Sequence, residues 1–161
     1  MRRKTVLEAL PVPDQSRLEA RCIEKGLKMT GQRRVIARVL SEATDHPDVE
    51  AVYRRAVELD PKISIATVYR TVRLFEEASI IERHDFRDGR SRYEEHTEMH
   101  HDHLIDIQSG RVIEFQNEEI EQLQQAMAEK LGYRLVDHRL ELYAVPLQGA
   151  DSASRRKSRN K

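Results

Sequence analysis

The sequence predicts an α+β protein, an N-terminal winged helix-turn-helix domain followed by a small α/β domain. Three observations carry this. Four short amphipathic stretches in the first half each begin at a capping residue, and an Asp-Gly hairpin signal follows them. The second half changes to two short strands, one helix and a final alternating run. Charge divides at the same place: residues 1–96 carry 19 Lys/Arg against 17 Asp/Glu, and residues 97–147 carry 4 against 10. The basic front suits a polyanion and the acidic, histidine-bearing back suits cations.

Residues 1–15 read as a flexible arm, with Pro11 and Pro13 and no helical period. Ser16 caps a helix to Lys25, with Gly26 as its C′ residue; Leu18 and Ile23 face inward, with Cys22 nearby. Thr30 caps a second helix, whose Val35, Ile36, Val39, Leu40 and Ala43 follow the 3.6 period. Asp45-His46-Pro47-Asp48 is a turn. Asp48 caps a third helix with Val49, Val52, Tyr53, Ala56 and Val57 on one face, ended by Asp60-Pro61. Ser64 caps the fourth, Ile65 to roughly Ala78, with a buried stripe of Ile65, Val68, Val72 and Phe75. Tyr69, Arg70 and Arg73 fall off that stripe. Ile80 to Phe86 is strand-like, Arg87-Asp88-Gly89-Arg90 turns, and Ser91 to Glu94 returns. Residues 16–96 thus form the winged-helix domain.

In the back half, 103–107 and 111–115 are strands around a turn containing Gly110. Glu118 to Leu131 is a helix with an acidic first turn, Lys130 near its end and an apolar stripe of Ile120, Leu123, Met127 and Leu131. Gly132 stops it, and Tyr133 to Val145 alternates as a strand. The domain, 97–147, falls below the ~55–65 residues at which lone domains usually become stable. It is therefore expected to be completed by a second copy in a two-fold dimer. Residues 148–161 are polar and basic and read as a disordered tail.

Composition excludes several classes. No apolar run approaches the ~20 residues of a membrane span. The basic Met1-Arg2-Arg3-Lys4 is followed by no apolar core of a signal peptide, so a cytoplasmic location is expected. Cys22 is the one cysteine, which rules out an internal disulfide and a Cys-rich zinc site.

Three of the seven histidines stand in His100-His101-Asp102-His103, ahead of the apolar Leu104, Ile105 and Ile107. In a strand, side chains alternate between faces. His101 and His103 then point one way and His100 and Asp102 the other, so one strand feeds two metal sites. Imidazole and carboxylate suit Zn²⁺, Mn²⁺, Fe²⁺, Co²⁺ or Ni²⁺. The fourth helix is the element expected in the DNA major groove, through Ser64, Thr67, Tyr69 and Arg70. Lys28 would reach the neighbouring backbone, with Arg33 a weaker phosphate candidate.

Several motifs together resemble the ferric uptake regulator family. They are Lys28-Met29-Thr30, Ile65-Ala66-Thr67-Val68-Tyr69-Arg70, Arg83-His84, His100 to Ile105, Gly110 to Phe115, and the late His138 with Leu140 and Tyr143. The resemblance spans roughly residues 16–147. It implies a dimeric, metal-responsive transcription factor, mainly a repressor, that binds operator DNA when Fe(II) or Mn(II) is bound, with Zn(II) substituting in vitro. Carried over position by position, a regulatory inter-domain site corresponds to His46, Glu94, His101, His103 and Glu114. A second site in the dimerisation domain corresponds to His100, Asp102, Glu121 and His138. His84 and His96 match no ligand position and read as structural or exposed. Many relatives hold a structural zinc with two Cys-x-x-Cys pairs. Here Asp106 and Ser109 occupy the first pair's positions, so that zinc, held by four cysteines, is expected to be absent.

A manganese-responsive relative is the main alternative, followed by peroxide- and zinc-responsive ones; the missing cysteines count against zinc, and Glu94 and Glu114 in place of Asp count against peroxide. A non-haem iron enzyme would use His100-x-Asp102 with His138, but three strands are a small scaffold for it, so no enzymatic activity is expected. A metal store would leave the winged helix without a use. Pairing of dimers on DNA is left open.

Overall fold

The computed structural model describes residues 15–97 and 99–147. The arm expected over 1–15, apart from Gln15, and the tail expected over 148–161 lie outside the described residues. The chain divides into two compact units between His96 and Thr97.

The first unit holds α1 (Arg17–Glu24), α2 (Gly31–Glu42), α3 (Val49–Leu59), α4 (Ile65–Glu77), β1 (Ile81–Asp85) and β2 (Ser91–Glu95). Ser16, Thr30, Asp48 and Ser64 each cap a helix by accepting from the backbone N–H three residues on. Removing such a cap typically costs about 1 kcal/mol. The core unites all four helices and both strands through Leu18, Ile36, Val52, Val68, Phe75, Ile81 and Tyr93. Fully burying one such apolar side chain contributes about 1.5–3 kcal/mol.

Two expected core residues lie outside it. Ile23 is exposed, because it follows the fully buried Cys22 by one residue and a helix turns about 100° per residue. Ile65 is exposed because Ile63, just before the cap, takes the core position instead. Ile63 and Val68 belong to the same cluster, in the manner of a hydrophobic staple across the helix start.

Cys22 is a core residue, and burial, reinforced by the Glu19 carboxylate, pushes its thiol up to about 11. At neutral pH it is a thiol and a poor nucleophile. The folded protein is expected to resist alkylation by iodoacetamide, and Cys22→Ser to keep its metal content. Mass spectrometry of the alkylated protein and metal analysis check both; stoichiometric loss of a bound metal in Cys22→Ser would contradict this role.

The wing is the antiparallel β1–β2 hairpin, with Glu82 opposite Glu94 and Arg83 opposite Tyr93. Arg87 and Gly89 take positive φ values in its turn. The Tyr93 N–H donates to the Pro47 carbonyl at 3.0 Å, tying β2 to the turn that precedes α3.

In the second unit β3 (Asp102–Asp106) is central, with β4 (Val112–Phe115) antiparallel on one side and β5 (Glu141–Ala144) parallel on the other. α5 (Glu118–Lys130) lies between β4 and β5 in the chain, as a crossover requires. The long strand expected over 133–145 shrinks to Glu141–Ala144, and 133–140 has no regular structure. Its ladder partner is β3, and only four residues of β3 pair with it. The expected stripe of α5 is not a core within this chain: none of the helix's described residues is buried, and Leu123, Met127 and Leu131 are 66%, 51% and 68% exposed. Among the unit's described residues, Ile105 and Val112 are the buried apolar ones.

Candidate metal centres

In the first unit, the turn between α2 and α3 carries His46 and strand β2 carries Glu94. His46 has a left-handed backbone, φ 49°, uncommon for a non-glycine residue, and strain of this kind concentrates at functional sites. The hydrogen bond from Tyr93 to Pro47 holds that turn against the strand. The result is an imidazole–carboxylate pair, His46 Nε2 to Glu94 Oε2, at 2.6 Å with both side chains buried. The other Glu94 oxygen, Oε1, meets His84 Nε2 at 2.6 Å. His84 was expected to be structural or exposed, and its contact with Glu94 is what the residue pattern did not reveal. The signal was available in the hairpin register: Glu82 pairs with Glu94, and His84 shares the face of Glu82.

In the second unit, β3 and the residues before it separate their side chains by alternation. The rings of His101 and His103 approach to 4.9 Å between centroids, and Glu114 on β4 is the cross-strand partner of His103. His100 Nε2 stands 3.2 Å from Asp102 Oδ1, and His138 Nε2 3.5 Å from the same oxygen. The ligand atoms of His100, Asp102 and His138 all lie within 4.8 Å of one another. Glu121, in the first turn of α5, is not in that group.

This second cluster fits a divalent cation. Asp102 is only 1% exposed, yet among the described residues its Oδ2 has no hydrogen-bond partner. His138 Nε2 is buried as well, and among the described residues its 3.5 Å approach to Asp102 Oδ1 is too poorly aligned to count as a hydrogen bond. Buried polar atoms are nearly always satisfied, by protein, water or an ion. A carboxylate flanked by two imidazoles offers the hard and borderline donors that Mn²⁺, Fe²⁺ and Zn²⁺ accept.

The candidate DNA-contacting residues all belong to the first unit. Ser64, Tyr69 and Arg70 are exposed, and Arg70 lies 3.5 Å from the Thr67 hydroxyl. Thr67 is half-buried, with its hydroxyl 3.0 Å from that of Ser64. Lys28 is exposed too, but Arg33 donates to the Lys28 carbonyl at 2.6 Å and so also braces the entry to α2.

The profile of the ferric uptake regulator family matches residues 24–143. The chain belongs to that family. A ferric uptake regulation protein of Rhizobium leguminosarum bv. viciae is 66% identical over 134 residues, 83% of this chain and 94% of the relative. One of Brucella suis biovar 1 is 50% identical over 123 residues, 76% of this chain and 87% of the relative. A solved structure described as a zinc-bound manganese uptake regulator superposes with a TM-score of 0.75 at 66% identity, covering 81% of this chain and 98% of that one. Ferric uptake regulators are transcription regulators rather than enzymes, and the five helices and two small sheets among the described residues match their DNA-binding and dimerisation architecture. Among the described residues no helix is long and apolar enough to cross a membrane.

At Asp106 and Ser109 the chain closes a turn with oxygen groups. Ser109 donates to Asp106 Oδ2 at 2.5 Å, and the Gln108 N–H donates to Oδ1 at 2.9 Å. These bonds hold the Asp106 carboxyl below its usual range, with the Ser109 hydroxyl the largest cause.

Proposed function

We propose that the protein is a metal-dependent, DNA-binding transcription regulator, mainly a repressor, that binds operator DNA as a homodimer when Fe(II) or Mn(II) is bound. The observation that carries this reading is the position of His46 and Glu94. Two buried metal-type donors, 2.6 Å apart, are built into the DNA-binding unit itself, one in the turn before α3 and one in the wing. Metal bound there has a direct route to the shape of the unit. His46 and Glu94 hold the regulatory ion together with His101, His103 and Glu114 of the second unit. His100, Asp102 and His138, with Glu121 as the remaining candidate, hold a second ion that stabilises the dimerisation domain. The ion supplies positive charge that lets carboxylates gather, and the residues do the rest: they orient and gather the two units.

The dimer is supported by α5, whose apolar stripe is not buried among the described residues. A second reading makes Mn(II) the physiological effector. It is favoured by the two solved relatives named manganese uptake regulators, at 66% and 63% identity, which are as similar to this chain as the Rhizobium protein with the ferric name. Metal analysis of the chain purified anaerobically from its own host separates the two: manganese in the regulatory site supports the second reading and iron the first.

On DNA, α4 is the recognition helix. Ser64, Thr67, Tyr69 and Arg70 contact bases or phosphates, Tyr69 through its ring and thymine methyls, with Lys28 and Arg33 towards the neighbouring backbone. Arg70→Ala is expected to weaken operator binding by about 1–3 kcal/mol, the loss of a base-reading arginine, and to relax specificity at one position. Fluorescence anisotropy on specific and random duplexes measures it. Unchanged affinity for both would remove Arg70 from the interface.

A further inference from the structure

The wing carries an imidazole–carboxylate cluster, Glu82, His84 and Glu94, of which the regulatory reading uses only Glu94. Glu82 and Glu94 are directly opposed across the hairpin. Like charges in opposed positions destabilise a hairpin unless something lies between them. Here His84 does: its Nε2 is 2.6 Å from Glu94 Oε1 and 3.7 Å from Glu82 Oε2. His96 Nδ1 bonds Glu82 Oε1 from the other side, and His46 Nε2 takes Glu94 Oε2. The ring of His84 lies flat on the buried Phe86, 5.4 Å between centroids and 6° between planes, which holds its orientation. The side chains of His84 and Glu94 are 12% and 9% exposed, while that of Glu82 is 41% exposed and leaves a way in from solvent.

We propose that Glu82, His84 and Glu94 form a further divalent-cation site, contained entirely within the winged-helix unit. One ligand atom from each lies within 4.8 Å of the other two. One imidazole nitrogen and two carboxylate oxygens suit Zn²⁺, Mn²⁺ or Co²⁺, with solvent completing the sphere on the open Glu82 side. The cation does by coordination what the His84 ring does by hydrogen bonding: it stands between two carboxylates that would otherwise repel. His96, bonded to the second oxygen of Glu82, is a positioning residue. Because the two oxygens of Glu94 face different imidazoles, the carboxylate can bridge, so an ion at the wing fixes the orientation of Glu94 toward His46. The site does not rest on the regulatory reading, since all its donors belong to one unit.

The test uses the full chain carrying His101→Ala, His103→Ala and His138→Ala, which removes imidazoles of the second unit and spares the wing. Equilibrium dialysis against Zn²⁺, followed by metal analysis, gives the stoichiometry. One zinc per chain is expected to remain and to be lost on adding His84→Phe, a change that keeps the stack on Phe86 and removes the nitrogen donor. In the otherwise unaltered protein, His84→Phe and Glu82→Gln are each expected to lower zinc content by one equivalent, with circular dichroism unchanged. A triple variant that stays folded but binds no zinc overturns the site. So does zinc content that is indifferent to both single changes.

Discussion

Replacing His101 or Glu94 with alanine is expected to abolish metal-stimulated operator binding while leaving the protein dimeric. The two residues come from different units: Glu94 from the wing strand, His101 from the segment leading into β3. On the proposed regulatory reading, an ion ligated by both would draw the units into one arrangement. Without it, repulsion among the carboxylates that the site gathers would favour an open hinge. In a dimer, the angle between units sets the distance between two recognition helices, which has to match half-site spacing. The ion shifts the population by no more than its differential affinity for the two shapes. Such couplings are typically about 1–3 kcal/mol, roughly 5–150-fold in DNA affinity, and operator DNA raises metal affinity by the same factor. The measurement is a titration of an operator duplex, selected with the Mn(II)-loaded chain, against Mn²⁺ or anaerobic Fe²⁺, with light scattering to report the dimer. A His101→Ala protein that still responds like wild type would show that the inter-unit clamp is the wrong mechanism.

Converting Leu123 and Met127 to aspartate is expected to yield monomers and to unfold the second unit. A helix of thirteen residues is marginal alone in water, and most helical stability in proteins comes from packing an apolar face. Among the described residues α5 buries no such face, and Ile105 and Val112 are the buried apolar residues that the unit's described part offers. In the proposed dimer a second copy would supply the rest of the core. Each buried leucine contributes about 1.5–3 kcal/mol, and two-fold symmetry counts each twice. A charge placed at Leu123 removes that gain and adds desolvation on both sides of the axis. Sedimentation equilibrium gives the association state and circular dichroism the helix content. A double variant that remains dimeric with full helicity would place the interface elsewhere.

Much of the fold was legible because its signals are local. Ser16, Thr30, Asp48 and Ser64 could be identified as caps because an oxygen three residues before a backbone N–H needs no tertiary information. The Asp88-Gly89 pair marked the wing for the same reason. The period of α5 was legible too, but not what it packs against, because periodicity reports that a face is apolar and not whose core it joins. Ile65 lost its place to Ile63, a competition decided by which side chain reaches the core first.

The sequence alone determined the order of elements, the family, and the alternation that sends His101 with His103 and His100 with Asp102. These follow from spacing along one chain, although β3 begins only at Asp102 and His100 and His101 lie in the segment leading into it. The tertiary structure brings His138 back to Asp102 and ties the His46 turn to the strand carrying Glu94, groupings that the family resemblance implied without a geometry, and it alone decided that His84 stands between Glu82 and Glu94. Those meetings join residues separated by tens of positions or set by hairpin register. They exist because backbone hydrogen bonds and core packing bring the segments together, with the polar donors carried along on the remaining faces.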